Sequence, residues 1–268
     1  MGRLKKYEFT GETRKIDDYN RTILKRIRAV RDFGKVKSGE IGGWIESGKN
    51  LSQEGEAWVA EEAWVSGDAV VEENAYVSGK AWISEEALVK GSAVVDKKAH
   101  VSGKAWVSGE AHVFGEAHVS GEACIYGEAR VSGETCISEG AYVYGGARVS
   151  GEAHVSGEAC VSGEAQIRGK AEVTDRNSHL CIGPIGSRYN CYATFYRDRE
   201  KGIAVKCGCF EGSLEEFQEK VKETHGNDKH AAAYRMAAEL AKLRISVAGT
   251  EKLPALDGEE DTECLQKK

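Results

Sequence analysis

Ala99-His100-Val101-Ser102-Gly103-Lys104-Ala105-Trp106-Val107-Ser108-Gly109-Glu110 is two copies of one six-residue unit, and it decides the fold. The unit extends in both directions without interruption. Val or Ile stands at position 59 and at every sixth position up to 173, twenty times in all, and Ala stands two residues earlier each time, with Thr135 the one substitute. A fixed short period of this kind marks a solenoid. In a strand, alternate side chains face opposite sides, so Ala and Val of each unit point inward and the residue between them points outward. The Ser-Gly-Glu that follows is corner chemistry: Gly accepts the backbone angles of a sharp turn and its polar neighbours face water. Three strand-and-corner units close one triangular coil, and coils stacked at roughly 4.8 Å pair their backbone groups with one another. Twenty units make nearly seven coils, a rod of roughly 30 Å.

The expected fold is mainly β: a left-handed parallel β-helix with a small N-terminal β cap and a C-terminal α+β module of a hairpin and two helices. Residues 1–56 are read as the cap and an irregular opening coil around Ile41-Gly-Gly-Trp-Ile45, with strands over Tyr7 to Thr10 and Thr22 to Val30. Residues 57–174 are the rod. Residues 175–245 form the C-terminal module, with strands over Asn190 to Tyr196 and Gly202 to Phe210. Ser213-Leu-Glu-Glu is a capping box that opens a helix to about His225, and a second helix runs from Asp228 to about Arg244. The polar, acidic tail 246–268 is expected to be disordered.

Charge is distributed unevenly over these parts. Residues 1–50 carry +6, residues 51–174 carry −11 and the remainder −1. An acidic rod is a poor surface for a phosphate backbone, so nucleic acid is not the expected partner along its length. No run of eighteen apolar residues exists and the start lacks a signal-peptide core, so the expected compartment is the cytoplasm, with no membrane span. The eight cysteines, at scattered spacings, are read there as free thiols.

The outward residues sort into three ladders with a spacing of eighteen: Trp58, Tyr76, Val94, His112, Arg130, Arg148, Gln166; Trp64, Trp82, His100, His118, Cys136, His154, Glu172; and Val70, Leu88, Trp106, Cys124, Tyr142, Cys160. Trp58, Trp64, Val70, Tyr76, Trp82 and Leu88 together form an apolar collar that something must cover, either the folded-back N-terminal module or a second copy of the chain. The histidine ladder and the set Cys181, Cys191, Cys207, Cys209, His225 and His230 raise the question of zinc. A straight ladder gives a line rather than a tetrahedron, and the cysteines lack paired Cys-x-x-Cys knuckles, so no metal site is assigned.

Val101-Ser-Gly-Lys-Ala105 and Val119-Ser-Gly-Glu-Ala123 resemble the motif of the hexapeptide-repeat family, an aliphatic residue followed four positions later by a small one. The resemblance implies the left hand of the β-helix and side-by-side association, commonly as trimers. Many members are acyltransferases using acetyl-CoA or another acyl-CoA, with a histidine as general base. Here His112, His118, His100 and His154 are the candidates, in that order. Such enzymes interrupt their coils with a loop that shapes the acceptor site, and this rod has no insertion between Ala57 and Val173. Three further segments are similar to bacterial and prophage proteins described as polymer-forming cytoskeletal or as hexapeptide transferases. These are the head, at Tyr7-Glu-Phe-Thr-Gly11 and Gly42-Gly-Trp-Ile-Glu46, the rod, and Lys206-Cys-Gly-Cys-Phe210 with Glu223-Thr-His-Gly226. The expectation is a non-catalytic structural or binding solenoid without cofactor that forms a homo-oligomer, trimer or polymer. The alternatives are an acyl-CoA-dependent transferase and a protein that sequesters a small, nucleotide-like molecule.

Overall fold

The structure, a computed structural model, describes residues 5–16, 22–186 and 191–245. The expectations for Asn190 and for the tail 246–268 fall outside these residues. The chain is mainly β: a parallel β-solenoid of about seven turns followed by an antiparallel sheet and two helices. Its elements are β1 (Tyr7–Lys15), β2 (Ile23–Ala29) and β3 (Ile41–Ile45), then twenty two-residue strands, β4 (Trp58–Val59) to β23 (Glu172–Val173), one every six residues. β24 (His179–Ile182), β25 (Ala193–Asp198), β26 (Gly202–Cys207), β27 (Phe210–Ser213), α1 (Leu214–His225) and α2 (Lys229–Arg244) follow.

Each rod strand up to β20 pairs in parallel with the strand eighteen residues on, as Val101 does with Val119 and His112 with Arg130, so the three ladders read from the sequence become three stacks of parallel strands. The inward Ala, Val and Ile form one continuous buried core. Thr135 is as buried as the alanines it replaces, and its hydroxyl donates to the Ser132 carbonyl at 2.8 Å, so the core holds no unpaired oxygen there. The corners turn through the left-handed region. At Gly79 (φ +68°) a Cβ would lie 2.7 Å from the Lys97 nitrogen one coil on, so the close stacking of coils requires glycine there as well as the turn angle.

The head is a three-stranded antiparallel ribbon joined to one rod sheet. β1 pairs with β2, β2 with β3, and β3 runs parallel to the Trp64–Val65 strand, which makes the opening coil a regular strand. The free edge of β1 carries Glu8, Glu12, Arg14 and Lys15, charges that discourage a further strand from pairing with it. Lys6 is fully buried at the base of this head: its ammonium donates to the carbonyls of Ala57 (2.8 Å) and Glu54 (3.2 Å). Burial, aided by the Arg31 charge, pulls its pKa down to about 8.

At the other end the expected hairpin is a four-stranded antiparallel sheet, in the order β24, β25, β26, β27. The stretch read as one strand to Phe210 is two, because Gly208 (φ +56°) and Cys209 make a two-residue turn that pairs Cys207 with Phe210. The capping box closes as expected, with the Glu216 amide donating to Ser213 Oγ (3.2 Å) and the Ser213 amide to Glu216 Oε2 (2.8 Å). Asp228 caps α2. The module docks on the last coil through Thr194, whose hydroxyl accepts from the Gln166 amide (3.0 Å), and through Arg197, which donates to the Glu172 carbonyl (3.2 Å).

Candidate functional site

The collar residues divide between two environments. Trp58 has no exposed surface: the Phe33 ring meets it edge-on at 5.4 Å, and Gly42 leaves it room, since a Cβ there would come within 2.5 Å of the indole. The head therefore covers Trp58 and removes it from any outer surface, which corrects its place among the interface residues. Trp64, Val70, Trp82 and Leu88 are half-buried, and Tyr76 is exposed. Trp64, Trp82 and His100 form a continuous stack, with ring centres 4.3 and 4.0 Å apart and planes within 14° and 11° of parallel. Much of the apolar area of these side chains is therefore spent on one another.

The four histidines do not converge. His100, His118 and His154 lie along one sheet, while His112 lies on another. His100, closed in by Trp82 and within 3.4 Å of Ser84 Oγ, is held below its ordinary pKa, by burial first and by the His118 charge second. His118 and His154 project into solvent. His112 has a carboxylate beside it: its Nε2 lies 3.4 Å from Asp96 Oδ2 but is buried without a hydrogen bond, and its ring leans on Phe114 at 4.5 Å. A carboxylate beside an imidazole is the pairing that orients a general base. Among the described residues no group of three or more His, Cys, Asp or Glu side chains is arranged to hold a metal ion.

The pairing of Asp96 with His112 belongs to a pattern. The residue just after the inward Val points outward like the residue just before it, and in the next coil it meets the outward residue sixteen positions on. Ser84 meets His100 and Asp96 meets His112 in this way, and the Cys160 thiol donates to Tyr144 Oη at 3.5 Å. Sorting by eighteen passes over this second column. The signal was nonetheless in the sequence, since Phe114, Tyr126 and Tyr144 stand where Ser102, Ser108 and Ser120 stand in neighbouring units.

The second column completes an aromatic strip on the third sheet. Trp106, Cys124 and Tyr142 are successive rungs; beside them Tyr126 and Tyr144 stack at 4.8 Å with parallel rings. Trp106, Tyr126 and Tyr142 are 43%, 38% and 45% exposed, the most open aromatic side chains on the rod, and the Lys90 ammonium lies 5.0 Å from the Trp106 ring centre. The strip is thus farther along the rod than the collar.

Two cavities involve the C-terminal module. One, of about 480 Å³, lies where the module meets the last coil and is bordered by Cys160, Glu164, Arg176, His179, Tyr192 and Arg244. Burial and, less strongly, the Arg244 charge press the His179 imidazole down to about 4, and its Nδ1 is buried without a partner. The other, of about 420 Å³, lies between the sheet and α1 and is bordered by Cys191, Cys207 and Cys209. The seven described cysteines are free thiols. No helix among the described residues is long and apolar enough to cross a membrane.

No protein-family model matches the chain, and no curated protein matches it.

Proposed function

We propose that the chain is a non-catalytic structural or binding solenoid of the hexapeptide-repeat kind, which associates side by side with copies of itself through the strip of Trp106, Tyr126 and Tyr142. The observation that carries this reading is the exposure of three large aromatics on one flat face of an uninterrupted rod. Aromatic side chains gain most from leaving water and are enriched where proteins meet. Both rod ends are covered, by the head and by the module, so end-to-end stacking has no open coil to use; lateral contact closes into a ring or a trimer.

Sedimentation velocity over a wide concentration range tests this. The expected result is a discrete oligomer, reduced to a monomer when Trp106→Asp and Tyr142→Asp are combined. A species that grows without limit as concentration rises would point to an open polymer instead, and a monomer at every concentration would end the self-association reading.

A second reading rests on His112. Asp96 Oδ2 lies 3.4 Å from its Nε2 without a hydrogen bond, and the reading is that this imidazole takes a proton from an acceptor hydroxyl or amine attacking an acyl-CoA thioester. Thiol release from acetyl-CoA in the presence of mixed acceptors measures it. Activity lost in His112→Ala and weakened in Asp96→Asn supports the reading, and no release by the unaltered protein removes it. A third reading, sequestration of a small anionic ligand, has support in the cavity with Arg176 and Arg244 on its wall. Native mass spectrometry of the purified chain would reveal such a passenger.

A further inference from the structure

Cys191 and Cys207 are distant in sequence terms but share one side of the terminal sheet. Ala193 is the register partner of Cys207, so Cys191, two residues before Ala193, falls diagonally across from Cys207 with its side chain on the same face. Their sulfurs are 3.6 Å apart, and the Tyr234 hydroxyl lies 4.0 and 3.9 Å from them. Both thiols border the cavity of about 420 Å³, whose wall also carries His225 and Lys220, the latter paired with Glu223 at 3.0 Å. Phe210, Phe217 and Val221 give the cavity an apolar part of its wall.

We propose that Cys191 and Cys207 are a reversible redox site, closed to a disulfide by a low-molecular-weight anionic disulfide that enters this cavity. Bond formation draws the sulfurs from 3.6 Å to about 2.05 Å. Cys191, the more exposed of the two, attacks first as thiolate: its sulfur bonds to one sulfur of the reagent and expels the other as a thiolate. Cys207 then gives up its proton to the expelled thiolate and attacks the Cys191 sulfur, releasing the second thiol. The protein loses two S–H bonds and gains one S–S bond, and the reagent is reduced to two thiols. Burial, reinforced by the neighbouring Cys191, pushes the Cys207 thiol up to about 12, so the closing step is the slow one and quickens as pH rises. The closed bond ties the segment leading into β25 to β26 and fixes one wall of the cavity. Tyr234 keeps its hydrogen bond to the Ile185 carbonyl (3.3 Å) in place of its thiol contacts.

The test uses the full chain, incubated with oxidised glutathione or with dithiothreitol, its remaining thiols alkylated, and its peptides mapped by mass spectrometry. A peptide pair linked through Cys191 and Cys207, with fragment ions separating Cys207 from Cys209, is the expected product. It forms in the folded protein, persists in Cys209→Ser, disappears in Cys207→Ser, and is accompanied by a higher thermal midpoint that dithiothreitol reverses. A link that runs through Cys209 in the unaltered chain, or one that forms only after denaturation, overturns the proposal. So does glutathione left on Cys191 without closure across the whole pH range.

Discussion

At its first coil the rod is closed by strands that extend one of its own sheets; at its last coil it is closed by a module with a core of its own. Tyr7, Ile27, Phe33 and Val36 of the head belong to the same buried cluster as the Ala and Val ladders. In the C-terminal module Phe195, Val205, Phe217, Val221 and Tyr234 form a second cluster, and only the other face of its sheet, with Tyr196 and Ala204, joins the rod. The head therefore shares the rod's cooperativity, while the module can open without it. Each end also mixes contacts differently: Trp58 burial with the Lys6 hydrogen bonds at the head, and Tyr196 and Ala204 packing with the Thr194 and Arg197 hydrogen bonds at the module.

The largest effect should come from the buried indole. Trp58→Ala is expected to cost about 3–5 kcal/mol and to loosen head and rod together in urea unfolding followed by hydrogen exchange. Phe217→Ala, in the separate cluster, should cost a similar amount while leaving exchange in the rod unchanged. If Phe217→Ala speeds exchange throughout the Ala and Val ladders, the chain is one cooperative unit and the contrast between its ends fails.

His179 offers a pH test confined to the module. Its folded pKa, about 4, lies below the ordinary 6.5, so between these values the unfolded chain binds a proton that the folded chain does not. Stability is fully present above pH 6.5 and is lost as pH falls toward 4, by up to about 3 kcal/mol. Arg244 opposes the charge on this ring, Asp175 favours it, and Arg176 and Glu164 share its cavity. His179→Gln should flatten the acid dependence of the module's unfolding; an unchanged profile would assign it to other groups.

A smaller loss is expected at the polar seam. Thr194→Val keeps the shape of a buried side chain but leaves the Gln166 amide without its acceptor, at a cost of about 1–2 kcal/mol. The amide of Gln166 should then exchange faster while the head's amides do not, and equal acceleration at both ends would show that this hydrogen bond does not hold the seam.

The rod was legible because every residue repeats its role twenty times, so the inward alanines and the three ladders follow from period alone. The capping box of α1 was legible because it is equally local, within Ser213 to Glu216. What escaped was set by contacts that a period of eighteen does not contain. Tyr126 and Tyr144 occupy a position assigned wholly to the corner, although alternation turns it outward, and so the aromatic strip and the Asp96–His112 pair went unread. The burial of Trp58 depends on Phe33 and Gly42, and these reach it through a fold-back whose geometry no local pattern specifies. Cys191 and Cys207 meet through strand register, which their spacing in the sequence does not reveal.

The smallest effect tests how the rod's own two ends differ at their corners. Glu61, Glu73, Glu85 and Lys97, toward the head, hold the left-handed conformation that most corners give to glycine; Glu139 alone does so farther on. Such a residue costs about 1–2 kcal/mol relative to an ordinary backbone. Each of the four glutamates recovers part of it, because its carboxylate accepts from a glycine amide one coil on, Glu85 from Gly103 at 2.7 Å and Glu139 from Gly157 at 2.7 Å. Glu85→Ala keeps the strain and drops the bond, so it should lose about 1 kcal/mol. Glu85→Gly drops both, and its midpoint in urea should stay within roughly 0.5 kcal/mol of the unaltered chain. A loss as large in Glu85→Gly as in Glu85→Ala would mean that the hydrogen bond carries the corner and the backbone strain is negligible; no loss in either would mean that adjacent coils hold the corner without the side chain.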